Sequence, residues 1–394
     1  MREPLKATTA LAAALLVAGC AQDPPGLVSV TVDAGAACSA ADGAAIPFPP
    51  VDAGPSLNCA ASCDFAGGIA VGCARRFQYG VNYAWNHFGA DFGGAGTTSG
   101  GSVSRDCAGK VAADLADMRA SGADVVRWWV WPNLRVNAVN FDAAGTPLGL
   151  AGSVLDDLEA ALALAARSDL HVQLCIFSFD NFKPGTASIH GLQPIVTDAG
   201  KRAALIEQVV RPFVRAANAS PNWDRVVSWD VMNEPEWAIS GSNPYGDPAY
   251  TPQTNLQLVT HAQMEAFVGE MIAAIRAESP LPVTVGSAGA KWPKAWSNVP
   301  VDFYTIHLYD WLNAQYPYSS APADLGYVGK AVVVGEFPLG GLTGVPYPQL
   351  LASLYGNGYA GAMAWSVTDT SFNWPANKSS VKNFADSAGC TARF

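Results

Sequence analysis

VVSWDVMNEPEW, Val226 to Trp237, begins as a β-branched, apolar strand and ends with Asn233 and Glu234 side by side, where Pro235 stops it. Runs that are apolar over most of their length belong to parallel strands covered on both faces. Packing alone supplies no reason for an amide and a carboxylate at the last two positions. Seven further runs read as strands: QYGVNYAW (78–85), ADVVRWWVW (123–131), LHVQLCIFSF (170–179), LPVTVGSAG (281–289), VDFYTIHLYD (301–310), KAVVVGEF (330–337) and GAMAWSVTD (361–369). Helical stretches lie between them. Leu155, Leu158 and Leu162 recur at helical spacing behind Ser153 and Asp156, which predicts a capping box and a core-facing stripe. Met264, Phe267, Met271 and Ile275 form a second stripe. Eight strands alternating with helices predict an α/β fold, a (β/α)8 TIM barrel. The fifth and sixth strands start at 281 and 301, so AKWPKAWSNVP between them has room for at most a degenerate helix. No G-x-G-x-x-G or Walker loop follows the first strand, which removes the usual nucleotide-binding reason for an open doubly wound sheet.

The chain has 394 residues, enough for one barrel of this size plus an extension. Half of it is hydrophobic and 14% is charged, so a large core can be buried. A net charge of -10 repels phosphate backbones, and no Lys/Arg-rich block overrides it, which excludes nucleic acid as a partner. Arg2 and Lys6 precede the apolar run LAAALLVAG, too short to span a bilayer and read as a secretory leader. LVAGC, Leu16 to Cys20, resembles the lipobox of bacterial lipoproteins and implies acylation of Cys20, hence export and a lipid anchor in a bacterial membrane, with soluble secretion as the alternative. Residues 1–20 are therefore expected as leader, 21–75 as an Ala/Gly/Pro-rich linker with cysteine staples, and 76–394 as the catalytic barrel, acting as a monomer. Cys175 lies within an apolar strand and is expected as a buried free thiol. Cys38, Cys59, Cys63, Cys73, Cys107 and Cys390 then remain for pairing, with 15 possible connectivities. A metal is not expected, because Cys59 and Cys63 lack a second close pair and His87, His171, His190, His261 and His307 are scattered.

In such barrels the C-terminal strand ends converge on one face, where active sites are built. Glu234 ends the fourth strand and Glu336 the seventh, so both are predicted at one mouth. Two facing carboxylates are what hydrolysis of a glycosidic bond requires: one protonated to assist the leaving oxygen, the other ionised to attack or to stabilise positive charge at C1. His307 and Tyr309 share a strand face with Thr305, away from Ile306 and Leu308. Asp230, inside the fourth strand, is expected as a hydrogen-bonding residue of the barrel interior.

WDVMNEP, HLY, VVVGEF and GAMAW resemble the strand-four, strand-six, strand-seven and strand-eight signatures of clan A glycoside hydrolases, most nearly family 5, over the chain from about residue 78 onward. The resemblance implies a retaining double displacement with Glu234 as general acid/base and Glu336 as nucleophile. It further implies that Asn233 binds the 2-hydroxyl of the attacked sugar, Tyr309 donates to the nucleophile, His307 lines the site, Arg127 holds Glu336 ionised, and Trp365 is the aromatic floor under the sugar. Many family members end strand three in a histidine, whereas this chain reads FSFDNF with Asp180 and Asn181. Endo-β-mannanases of the family are similar in lacking that histidine, and VDFYTIHLYD followed by Trp311 resembles their sixth strand. The implied substrate is a β-1,4-linked polysaccharide or its oligosaccharides, mannan first and glucan second, with no cofactor.

Trp85, Trp131, Trp237, Trp311 and Trp374 lie at or beyond strand ends and are candidates to line sugar subsites, since an indole suits a sugar's C–H face. Asp180, Asn181 and Glu236 are further subsite candidates. The rival readings are a surface carbohydrate-binding barrel without turnover and a barrel of other chemistry. The glutamate pair argues against the first. The absence of strand-end lysines for Schiff bases and of histidine clusters argues against the second.

Overall fold

The structure, a computed structural model, describes residues 57–94, 101–106 and 109–394. Eight strands close a parallel barrel: β1 (Gln78–Asn82), β2 (Val125–Trp129), β3 (His171–Ser178), β4 (Val226–Asn233), β5 (Val283–Ser287), β6 (Tyr304–His307), β7 (Val332–Glu336) and β8 (Gly361–Ala364). They pair in chain order, and β8 returns to β1. Every residue of β3 and of β4 is buried, which is why both read as near-continuous apolar runs. The predicted (β/α)8 architecture is the one observed.

The helical stripes divide. Met264, Phe267, Met271 and Ile275 are all buried on the helix His261–Glu278. On the helix Val154–Arg167, Leu158 and Leu162 are buried but Leu155 is exposed, and Val154 takes the inward position instead. The expected capping box is corrected as well. Ser153 makes no cap bond to the backbone. Its hydroxyl donates at 2.8 Å to Asp157, a buried carboxylate that also accepts the backbone N–H groups of Gly93 and Ser104. Asp157 thus ties the loop after β1 to this helix. Unit five is degenerate, as its length requires: only turns occupy 291–298.

At the N-terminal end of the barrel, Val125, Val227, Val333 and Met363 pack with Ile69, Val71, Phe303 and Phe394. The antiparallel hairpin of Ile69–Val71 and Ala74–Arg76 supplies part of this floor. Cys59–Cys73 ties the hairpin turn to the segment before it, and Cys63–Cys390 joins the preceding turn Ala61–Cys63 to the C-terminal turn across 327 positions. The first bridge is local; the second is not, and it closes a loop whose lost unfolded-state entropy is worth on the order of 5 kcal/mol on a chain-entropy basis. Two bridges of this kind suit an exported, oxidising compartment. Cys175 is a buried free thiol. Cys20, the expected lipidation site, lies outside the described residues together with Cys38 and Cys107.

Candidate active site

The end of β4 delivers Glu234 in an unusual way. Its backbone is left-handed, φ 50° and ψ 50°, a conformation that costs a non-glycine residue about 1 kcal/mol or more. The N–H of Glu234 is held by the carbonyl of Gly286 on β5, and the chain then enters the short turn Pro235–Ala238. This geometry swings the carboxylate off the strand line and over the barrel mouth. One Glu234 oxygen meets His307 Nδ1 at 2.7 Å, and the other accepts from Trp237 Nε1 at 2.9 Å. Glu336, at the end of β7, accepts from Arg127 Nη1 and from the Tyr309 hydroxyl, both at 2.8 Å. His307 Nδ1 also lies 3.5 Å from Glu336. Ligating atoms of Glu234, His307 and Glu336 all fall within 4.8 Å of one another. Retaining hydrolysis places its carboxyl groups about 5 Å apart, inverting hydrolysis about 6.5–9.5 Å apart.

Arg127 organises the interior beneath this pair. It is wholly buried and its five N–H groups are shared out: Nε and Nη2 to Asp230 at 3.0 and 2.7 Å, Nη2 also to Asn233 Oδ1 at 2.9 Å, Nη1 to Asn82 Oδ1 at 3.0 Å and to Glu336. A buried guanidinium is tolerated only when paired and hydrogen-bonded throughout, as here. Gly286 makes room for it, since a Cβ there would stand 2.8 Å from Arg127 Nη2 and 3.0 Å from Asp230. Asn82, which sequence reasoning missed, faces Arg127 directly in the β1–β2 register. The signal available in the sequence was a polar residue within the run of the first strand; its pairing with Arg127 emerges only from the register.

Electrostatics separate the two glutamates. Burial pushes the Glu234 carboxyl up to about 7, with Trp237 and Arg127 pulling it down and Asp180 pushing it further up. Burial also raises Glu336, as does Glu234, while Arg127 and Tyr309 hold it down and His307 does so only in its cationic form. The pair loses its first proton from Glu336, because only that carboxylate contacts a guanidinium. His307 is pushed down to about 4, chiefly by burial, so it sits between the carboxylates as a neutral imidazole at neutral pH. If Glu234 donates a proton in catalysis it works only while protonated, so the rate should fall as pH rises through about 7. A kcat/KM profile against pH checks this; a basic limb above pH 9 would contradict it.

The remaining candidates scatter. Trp85 and Trp365 come together, with ring centroids 5.8 Å apart, and both meet Trp129 at 5.4 Å. Trp129, not anticipated, also lies 5.7 Å from the Arg127 guanidinium carbon. Across the mouth, Trp237 and Trp311 lie 5.6 Å apart, and Trp311 is 37% exposed. Trp131 is corrected: buried like Trp129 and Trp365, it packs instead against Phe213 of the helix Arg211–Ala219 and against Phe177, behind the barrel wall. Trp374 is likewise packed inward, its indole donating to Asp117. Asp180 and Asn181 follow β3 and are almost wholly buried. Asp180 pairs with Lys183 at 2.7 Å, and Asn181 Oδ1 accepts the Ser178 N–H, capping the turn Phe179–Phe182. Glu236 is also buried, bonded to Ser287, Ala288 and Trp296. Among the described residues, the one group of His, Cys, Asp and Glu spaced to hold a cation is the same Glu234–His307–Glu336 trio, where Arg127 already supplies positive charge to Glu336.

No family model matches the chain. A mannan endo-1,4-beta-mannosidase of Mytilus edulis is 27% identical over 328 residues, 75% of this chain and 85% of the relative. A mannan endo-1,4-beta-mannosidase of Cryptopygus antarcticus is 25% identical over 364 residues, 81% of this chain and 89% of the relative. Among solved structures, the beta-mannanase from the blue mussel Mytilus edulis superposes with a TM-score of 0.65 at 24% identity, over 79% of this chain and 92% of that one. The endo-1,4-beta-mannanase from Eisenia fetida gives 0.67 at 21% identity, over 82% and 94%. The structural likenesses carry the barrel fold, and the sequence likenesses run through most of both chains.

Proposed function

We propose that this chain is a retaining endo-hydrolase of β-1,4-mannan, with residues 76–394 as its catalytic unit. In the first step the Glu336 carboxylate bonds to C1 of the attacked mannose, the C1–O bond to the leaving chain breaks, and the Glu234 proton passes to that oxygen. In the second, water attacks C1, Glu234 takes its proton, and the bond from C1 to Glu336 breaks. The observation that carries this reading is the carboxylate pair within 4.8 Å, one member on a guanidinium and the other on a neutral imidazole and an indole. With its oxygen engaged by Arg127, Asn233 has its amide nitrogen left as the donor for the sugar's 2-hydroxyl. Trp365, backed by Trp85 and Trp129, forms the floor. The names of the two relatives favour mannan over glucan.

Reducing-end release from β-mannan, β-glucan and xylan, with the first-formed anomer read by proton NMR, tests the reading. Mannan should be cut fastest and internally, releasing the β-anomer. Faster cleavage of glucan would overturn the substrate, and an α-anomer would overturn the retaining mechanism. Anchoring through Cys20 rests on the LVAGC string alone; mass spectrometry of the mature N-terminal peptide should find an acylated cysteine, and a free or absent Cys20 would refute it.

A further inference from the structure

Glu236 is the second glutamate of the NEPE run, and its burial withdraws it from any sugar. Its carboxylate is fully engaged: Oε1 accepts from the Ser287 hydroxyl and from Trp296 Nε1, both at 2.7 Å, and Oε2 accepts from the Ala288 N–H at 3.0 Å. Ser287 ends β5, and Ala288 follows it. Trp296 comes from the helix-free segment of unit five and is itself 3% exposed. Three donors converge on one buried acceptor, while no Lys, Arg or His of the described residues forms an ion pair with it. An arrangement this specific on a turn that needs no carboxylate to fold calls for a purpose.

The two neighbours of Glu236 in space and sequence supply one. Glu234, two residues earlier, holds a left-handed backbone whose N–H is bonded to Gly286 of β5. Trp237, one residue later, donates its indole N–H to Glu234 at 2.9 Å. Between them, Glu236 fastens the turn Pro235–Ala238 to the next two residues of the same strand end. We propose that Glu236 is a positioning residue for Glu234: it clamps the turn onto β5 and thereby fixes both the backbone that carries the proton donor and the indole that bonds it. Loosening the clamp lets the Glu234 carboxyl drift from the leaving oxygen and take up water, which weakens proton donation without disturbing Glu336 on β7. Sub-ångström placement of this kind is what a supporting layer of buried hydrogen bonds contributes to a proton-transfer site. The inference rests on Glu234 being the proton donor.

The test exploits leaving groups. The oligosaccharide released from mannopentaose departs only with a proton from Glu234, whereas 2,4-dinitrophenolate departs from a β-mannobioside without one. In Glu236→Gln the side chain keeps its shape, but its NH2 must face the N–H of either Ala288 or Trp296, neither of which can accept. The kcat/KM of that variant on mannopentaose should fall on the order of 10²-fold, while kcat/KM on 2,4-dinitrophenyl β-mannobioside stays within about threefold of wild type. The basic limb of the mannopentaose profile should also move to lower pH as Glu234 becomes hydrated. Trp296→Phe removes a single donor and should show the same substrate-dependent pattern at about tenfold or less, which keeps the test open if Glu236→Gln folds poorly. Equal losses on both substrates, or none on either, would overturn the clamp. A wild-type protein inert on mannopentaose and on the activated mannobioside would instead overturn the hydrolase reading itself.

Discussion

Replacing Glu336 by alanine should lower mannan hydrolysis on the order of 10⁵-fold while leaving the protein folded. The first half follows from position. Among the described residues, Glu336 is the carboxylate facing Glu234 within 4.8 Å that also sits on a guanidinium and a phenol, so nothing else there can bond to C1 from the opposite side. The second half follows from the Arg127 network. Without Glu336 the guanidinium keeps Asp230, Asn233 and Asn82, so its charge stays paired inside the barrel. The loss therefore belongs to chemistry rather than to stability. Azide supplies a sharper readout. With an activated aryl β-mannoside, azide entering the vacated space attacks C1 from the side Glu336 occupied, and the product should be the α-mannosyl azide. A variant with wild-type turnover, or one yielding the β-azide, would reassign the nucleophile.

How much of this was legible beforehand depends on what each residue's position depends on. The eight strands were readable because parallel strands buried on both faces leave long apolar runs, and Glu234 and Glu336 were readable because strand ends in a barrel share one mouth. Arg127 is a charge inside the apolar run ADVVRWWVW, where burial demands a partner. Its partners were harder: Asp230 was assigned to the barrel interior without being matched to Arg127, and Asn82 was passed over, because register between neighbouring strands is not written in either strand alone. Tryptophans were the least legible. Trp131 and Trp129 are two positions apart on the same segment, yet Trp131 packs behind the wall on Phe213 while Trp129 meets Trp365. Strand alternation breaks down just past the strand end, so sequence spacing could not sort them. The capping box at Ser153 failed for a related reason: Asp157, a turn inside the helix, competes for the same hydroxyl because it is the buried anchor of a loop distant in sequence.

Arg127 is where fold and chemistry are least separable, and two substitutions should divide them. Arg127→Met leaves the fully buried Asp230 carboxyl with no cation against it, and Glu336 loses its counter-charge as well. Breaking a buried pair from one side costs about 3–5 kcal/mol, so this variant should unfold at markedly lower denaturant and express poorly. Arg127→Lys keeps a positive charge but has one nitrogen where the fork of Nε, Nη1 and Nη2 now reaches Asp230, Asn233, Asn82 and Glu336. The ammonium will settle near Asp230, with which arginine now makes two bonds, and Glu336 will be left with His307 and Tyr309. Its carboxyl then rises further, so a larger share is protonated and unable to attack at any given pH. On the proposed roles, activity should rise with the ionisation of Glu336 and fall with that of Glu234 near 7, so raising the first narrows the bell from its acid side. The folded lysine variant should therefore show a lower maximum and an acid limb displaced to higher pH, with its basic limb little moved. Urea titration beside a kcat/KM profile reads both effects. An acid limb that stays in place in the folded variant would mean that Arg127 supports the barrel without tuning Glu336.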